Sequence, residues 1–248
     1  MSGYFIIVRT VIQISDCHLS DESSFNRLRK ALNTAQNETT CDTLLLTGDL
    51  CCNPRASDYQ ALLAFLNKHI QNKHVYAIAG NHDDFILMKE EFRDSSVHVV
   101  EKAEIHGREV LFLDSSAKPL DEHHPLGSGR VDNRGVARFK RQLRHATNPI
   151  VVVHHPIIPV GSDWMKAICL ENDASLLALL TKHRVQDVIC GHGHDALTVT
   201  KQGVTQHMAP ATAYGFDHCI DEYNRSEKIG VSKICFEDER INVETIWL

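Results

Sequence analysis

The chain has 248 residues, 43% of them hydrophobic, and its 26 basic and 32 acidic side chains leave a net charge of −6. That length fills one large domain with a sizeable core, and the negative balance leaves no surplus of cations to hold a long nucleic acid by counterion release. No apolar run approaches the ~20 residues of a bilayer span, and Met1-Ser2-Gly3-Tyr4 lacks the basic start of a secretion signal, so a cytoplasmic protein with no membrane partner is expected.

The first strand is Val11-Ile12-Gln13-Ile14-Ser15, β-branched and alternating, with Asp16-Cys17-His18 at its carboxyl end. Residues 23–37 place Phe25, Leu28, Ala31, Leu32 and Ala35 at helical spacing, and Thr43-Leu44-Leu45-Leu46 reads as a buried strand closed by Gly48-Asp49. Ser57 or Asp58 is expected to cap a helix carrying Tyr59, Leu62, Leu63, Phe65 and Leu66. A third strand, 74–78, runs into Gly80-Asn81-His82-Asp83.

A helix near 85–92 and strands at 97–100 and 109–113 follow, the latter ending in Leu113-Asp114-Ser115-Ser116. After a loop rich in Pro, Gly and His come a helix over 132–145 and a buried strand over 149–153 that stops at His154-His155-Pro156. A helix near 172–183 leads to Asp187-Val188-Ile189-Cys190 and then Gly191-His192-Gly193-His194. Alternating segments near 196–208, 229–236 and 241–247 close the chain as strands, with no repeat or linker, so residues 1–248 read as a single domain.

Alternating β and α elements argue for largely parallel sheet covered by helices, and in such folds ligands gather outside the carboxyl ends of the strands. Five polar motifs fall at five such ends. Asp16, His18, Asp49, Asn81, His154, His192 and His194 offer the carboxylate, imidazole and amide donors that suit Mn, Fe, Co or Zn. Seven donors exceed what one ion takes while leaving room for substrate, whereas a shared carboxylate, here Asp49, can hold two ions about 3.5–4 Å apart.

The remaining histidines read differently. His69, His74, His98, His106, His145 and His183 are ordinary surface or packed imidazoles, His123 and His124 sit in a solvated loop, and His207 and His218 have no assigned role. The eight cysteines form no C-x-x-C pair, and Cys51-Cys52 reads as packing after a buried strand. Cys17 points away from its two neighbours if that stretch is extended.

The motifs D-x-H, G-D, G-N-H-D, H-x-P and G-H-x-H, in that order over residues 16–194, resemble the binuclear metallophosphoesterase, or calcineurin-like phosphoesterase, superfamily. Gln13 to Leu19, Leu113-Asp114-Ser115 with the later Gly129, and His154-His155-Pro156 are most similar to bacterial class III 3′,5′-cyclic-nucleotide phosphodiesterases. The resemblance implies a four-layer α/β/β/α sandwich. It also implies one metal on Asp16, His18, Asp49 and His194 and a second on Asp49, Asn81, His154 and His192, with iron and manganese foremost and zinc or cobalt as alternatives. His154 is then the donor of its pair and His155 a packing or supporting residue.

The implied chemistry is hydrolysis of a phosphodiester by a metal-bridging hydroxide, with His82 stabilising charge or protonating the departing alkoxide and Asp83 orienting His82. The leading substrate is a 3′,5′-cyclic nucleotide such as cAMP; a glycerophosphodiester or other small phosphodiester is the runner-up, and an inactive scaffold of the same fold comes third. A homodimer is also implied by resemblance. Purple acid phosphatases place a tyrosine where this chain has Cys52, and the protein serine/threonine phosphatases carry G-D-x-V-D-R-G, which Gly48 to Pro54 does not match.

Overall fold

The computed structural model describes residues 9–237 and 239–248. The opening residues 1–4, read above for a secretion signal, lie outside them. Twelve strands form two six-stranded sheets. The first contains β1 (Thr10–Ile14), β2 (Cys41–Thr47), β3 (His74–Ile78), β4 (Val97–His98), β11 (Gly230–Phe236) and β12 (Ile241–Trp247) in the order β12-β11-β1-β2-β3-β4. The second contains β5 (Lys102–Ile105), β6 (Arg108–Leu113), β7 (Ile150–Val153), β8 (Asp187–Cys190), β9 (Leu197–Lys201) and β10 (Val204–Met208) in the order β5-β6-β7-β8-β10-β9.

Strands β1 to β4 are parallel, as are β6, β7, β8 and β10, and antiparallel strands finish the sheets. Period-2 alternation builds the layers. In β1, Val11 points between the sheets while Ile12 and Ile14 face the helices; in β7, Ile150 and Val152 point inward while Val151 and Val153 face out. Helices α1 (Glu22–Asn37), α2 (Ala56–His69) and α3 (Phe85–Glu91) cover the first sheet, and α4 (Asn133–Leu143) and α6 (Asp173–Lys182) the second. The result is the α/β/β/α sandwich.

Four boundaries differ from the sequence reading. Helix α2 begins at Ala56, so neither Ser57 nor Asp58 is its cap; the Asp58 carboxylate instead accepts from the Arg55 N–H at 2.7 Å, from inside the first turn. Strand β5 was not foreseen: Lys102-Ala103-Glu104-Ile105 has a single apolar end, and its partner β6 fixes it through a turn at His106 and Gly107, both at positive φ. The segment 196–208 divides into the hairpin of β9 and β10 around Gln202 and Gly203. Helix α5 (Asp163–Ala167) is too short to carry a period.

Candidate metal centre

The parallel strands of both sheets deliver their polar motifs to one place. Asp16 and His18 follow β1, Asp49 follows β2, Asn81 and His82 follow β3, His154 follows β7, and His192 and His194 follow β8. The backbone is bent hard there: Asp16, His18, Asp49, His192 and His194 all have positive φ, between 43° and 71°. Such conformations are uncommon for residues other than glycine and gather where function holds them. Close backbone approach does the rest, because a Cβ on Gly80 would collide with the Asp49 carboxylate and one on Gly191 with the Ser15 hydroxyl.

Asp49 sits at the middle. Its Oδ1 accepts from the His82 N–H at 2.9 Å, and its Oδ2 lies 3.4 Å from His154 Nε2 and 3.7 Å from His18 Nε2. Asp16 Oδ2 accepts from the Ser15 hydroxyl and from the His192 N–H at 3.0 Å, while Oδ1 faces His194 Nε2 at 3.3 Å. His18 and His194 bring their Nε2 atoms within 3.2 Å of each other. Asp16 with His18 and His194, and Asp16 with Asp49 and His154, each place donor atoms as a metal site requires.

The second nitrogen of each ring shows which one is left over. His154 Nδ1 donates to the Thr47 carbonyl and His194 Nδ1 to the Tyr214 carbonyl, each at 2.8 Å, and His192 Nε2 donates to the Ile168 carbonyl at 3.0 Å. Metal-bound histidines hold their other N–H in this way, which fixes the tautomer and leaves a lone pair aimed at the ion. Asp16 Oδ1, Asn81 Oδ1 and His154 Nε2 are buried without a hydrogen-bond partner. Orphaned acceptors of this kind are costly unless a ligand completes them, so the residues fit a pair of divalent ions.

His155 is a contrast. It is fully buried and adjoins His154 and His192, but its Nε2 donates to the Gly127 carbonyl at 3.1 Å and its Nδ1 accepts from the Ser115 hydroxyl at 2.8 Å. Both of its nitrogens are engaged by protein groups, whereas His154 Nε2 has no hydrogen-bond partner.

Electrostatics agree. Burial alone would raise the Asp16 and Asp49 carboxyls, but the surrounding imidazoles, His194 and His154 foremost, hold both below the usual carboxylate range. Burial pushes His18 down to about 4 and His192 down to about 3. For His154 burial is outweighed by Asp49 and Asp16, and its value rises to about 9. Ionised carboxylates and neutral imidazoles are the states a metal binds; Asp16, Asp49, His18 and His192 are already in them, whereas His154 gives up a proton to bind.

Two expectations are corrected here. The Asp83 carboxylate does not hold the His82 ring: it accepts from the N–H groups of Leu50, Cys51 and Gly80 at 3.0–3.2 Å and from the Tyr59 hydroxyl at 3.1 Å. It clamps the loop after β2 to the turn after β3. Cys52 is not core packing; unlike Cys51 it is exposed, and its Sγ lies 3.2 Å from His18 Nδ1.

His123 is exposed on the loop after β6, His207 lies on β10 facing Thr198 and Asp187, and His218 Nε2 donates to the Gly193 carbonyl at 2.7 Å, bracing the loop that carries His192 and His194. Tyr214, beside His18 and His194, and Arg225, over the Tyr214 ring, escaped the sequence reading; the only trace was the aromatic run Tyr214-Gly215-Phe216.

The calcineurin-like phosphoesterase family model matches residues 9–196, which carry every donor named above. The chain belongs to that family. As a calcineurin-like phosphoesterase it is a metal-dependent phosphoester hydrolase. It is 27% identical over 247 residues to a probable cyclic nucleotide phosphodiesterase of Ruthia magnifica subsp. Calyptogena magnifica, covering 96% of this chain and 97% of that one. It is 24% identical to the 3′,5′-cyclic adenosine monophosphate phosphodiesterase CpdA of Vibrio vulnificus, over 86% and 80% of the two chains. The fold is shared with a dimetal phosphatase from Danio rerio, at a TM-score of 0.71, 16% identity and 96% coverage of each chain. Among the described residues no helix is long and apolar enough to cross a membrane.

Proposed function

We propose that this phosphoesterase hydrolyses a 3′,5′-cyclic nucleotide to the nucleoside monophosphate in the cytoplasm, with one metal ion on Asp16, His18, Asp49 and His194 and a second on Asp49, Asn81, His154 and His192. The observation that carries the metal assignment is the division of labour within the rings of His154, His192 and His194. One nitrogen of each ring is tied to a backbone carbonyl, and in the cluster beside them Asp16 Oδ1, Asn81 Oδ1 and His154 Nε2 have no hydrogen-bond partner. The two ions, when bound, supply a nucleophile at neutral pH and neutralise the phosphoryl oxygens. Asp49, whose Oδ2 lies between a histidine of each set, would be the ligand common to both.

His82 completes the reading. Its backbone N–H is anchored on Asp49 and its partly exposed ring stands edge-on to His18 at 4.9 Å, at the mouth of the cluster. From there it gives a proton to the 3′ oxygen as the bond between phosphorus and that oxygen breaks and the added water completes the 5′-monoester. The cyclic-nucleotide substrate is supported by the named relatives that align along almost the whole chain. A glycerophosphodiester or other small phosphodiester is the alternative.

The test is hydrolysis of cAMP, bis(p-nitrophenyl) phosphate and p-nitrophenyl phosphate by chelated protein reloaded with Mn, Fe, Co or Zn. Turnover of cAMP comparable to the artificial diester, and well above the monoester, is expected. Diester cleavage without cAMP would transfer the reading to the alternative, and no turnover with any metal would end both.

A further inference from the structure

Arg225 occupies an unusual position for an exposed cation. Its guanidinium carbon lies 3.9 Å from the centre of the Tyr214 ring, and its Nε donates to the Tyr223 hydroxyl at 2.6 Å. Tyr214 in turn stacks on His18 at 5.6 Å and lies against His194 at 4.6 Å. The guanidinium therefore stands one ring away from two of the proposed metal-site histidines.

This placement asks what the side chain recognises. A guanidinium meant for a phosphoryl oxygen points its N–H fork at the anion. Here the fork is partly occupied by Tyr223, and the plane is laid on a tyrosine. The phosphoryl group has its own countercharges in two metals and His82. A guanidinium with one face on an aromatic ring and the side chain open to solvent presents its other face as a flat, positively charged platform, which is how arginine planes receive nucleobases. Two tyrosines preorganise it, so little side-chain entropy remains to be lost on binding.

We propose that Arg225, laid on Tyr214 and pinned by Tyr223, is a specificity-determining residue that stacks on the purine base of a nucleotide whose phosphate lies at the metals. The inference deepens the cyclic-nucleotide reading and rests on it for the position of the phosphate. The segment 214–225 thus gives the enzyme a second point of attachment beside the chemistry.

The test compares two ligands that share a 5′-phosphate and differ by the base. Binding of AMP and of ribose 5-phosphate to the metal-loaded full chain is measured by calorimetry for the wild type, Arg225→Ala and Arg225→Lys. Stacking of this kind makes the wild type prefer AMP by about tenfold or more. Both variants are expected to lose most of that preference while holding ribose 5-phosphate within about twofold, Lys failing with Ala because it keeps the charge and lacks the plane.

An equal loss for both ligands in Arg225→Ala would place the side chain on the phosphate and overturn the proposal. So would an unchanged preference in both variants, or a wild type that does not distinguish the ligands. Thermal melts of each variant confirm that the fold is kept. Because binding is read without turnover, a base preference lost in the variants together with no cAMP hydrolysis would sink the cyclic-nucleotide reading alone. Turnover of cAMP with an Arg225-independent preference would sink this inference alone.

Discussion

At the residue scale the site is decided by what each side chain has left to offer. Asp49 presents one carboxylate oxygen to a backbone N–H and the other to two imidazoles, so Asp49→Ala is expected to remove both metals and abolish turnover, read by metal content and initial rates together. His82 is held through its backbone and is none of the seven proposed ligands, so His82→Ala is expected to keep both metals while kcat falls about 10²- to 10⁴-fold; full activity, or lost metal, would refute its assigned role. Gly80 adds a test that no ligand substitution gives. Its absent side chain is the space the Asp49 carboxylate occupies, so Gly80→Ala should lower metal content although residue 80 binds nothing. The donors were legible because each sits within a few residues of its strand end, in a motif with its own spacing. Asp83 and Cys52 were misread because decisive partners are not local: the Asp83 carboxylate accepts from the Leu50 and Cys51 N–H groups and the Tyr59 hydroxyl, and Cys52 meets a histidine 34 positions away. Arg225 was invisible for the same reason, since nothing near it in the chain says that it will be laid on a ring beside the metals.

At the element scale, hydrophobic period was enough for the central strands and the long helices, where burial on one face outweighs everything else. It failed for β5 and α5, which are short and are fixed by their neighbours rather than by their own pattern. Helix α1 shows local and long-range signals meeting. At its start Asp21 and Ser24 exchange side-chain and backbone hydrogen bonds as a capping box. At its end Glu38 reaches Lys233 of β11 at 2.6 Å and the Thr40 hydroxyl at 2.6 Å. The Lys233 hydrogen bond, with that of Thr40, holds the Glu38 carboxyl down to about 2. A carboxyl lowered on folding contributes stability that is present above its unfolded value, about 4.3, and is lost as pH falls through the folded one. Glu38→Gln is therefore expected to destabilise the protein above about pH 4.5 and to converge with wild type toward pH 2. The pair is only partly buried, so solvent screening limits the effect to about 1 kcal/mol or less. Urea unfolding at stepped pH reads it, and a difference that grows toward low pH would contradict the sign.

At the scale of the whole molecule the two sheets share more than their apolar interface. Val11, Leu45 and Ile234 of one pack with Val110, Ile150 and Ile189 of the other, yet the carboxyl edge where these strands end is polar and strained, with acidic and imidazole groups crowded out of water. Asp16, His18, Asp49 and Asn81 come from the first sheet, and His154, His192 and His194 from the second. Each proposed ion thus takes ligands from both sheets, and the pair ties together the end of the sandwich that apolar packing does not close. A ligand that binds only the folded state adds stability as RT ln(1 + [L]/Kd), about 2.7 kcal/mol at a hundredfold excess over Kd. Chelation should accordingly lower the melting temperature by several degrees, and titrating metal back should restore it in step with bound ions. His194→Ala and His154→Ala, one donor from each proposed ion, should each remove part of that rise, whereas Arg225→Ala at the rim should leave it whole. If the melting temperature ignored metal while two ions bound, the ions would sit on a frame already closed without them, and the coupling between the sheets would have to reside in the apolar interface alone.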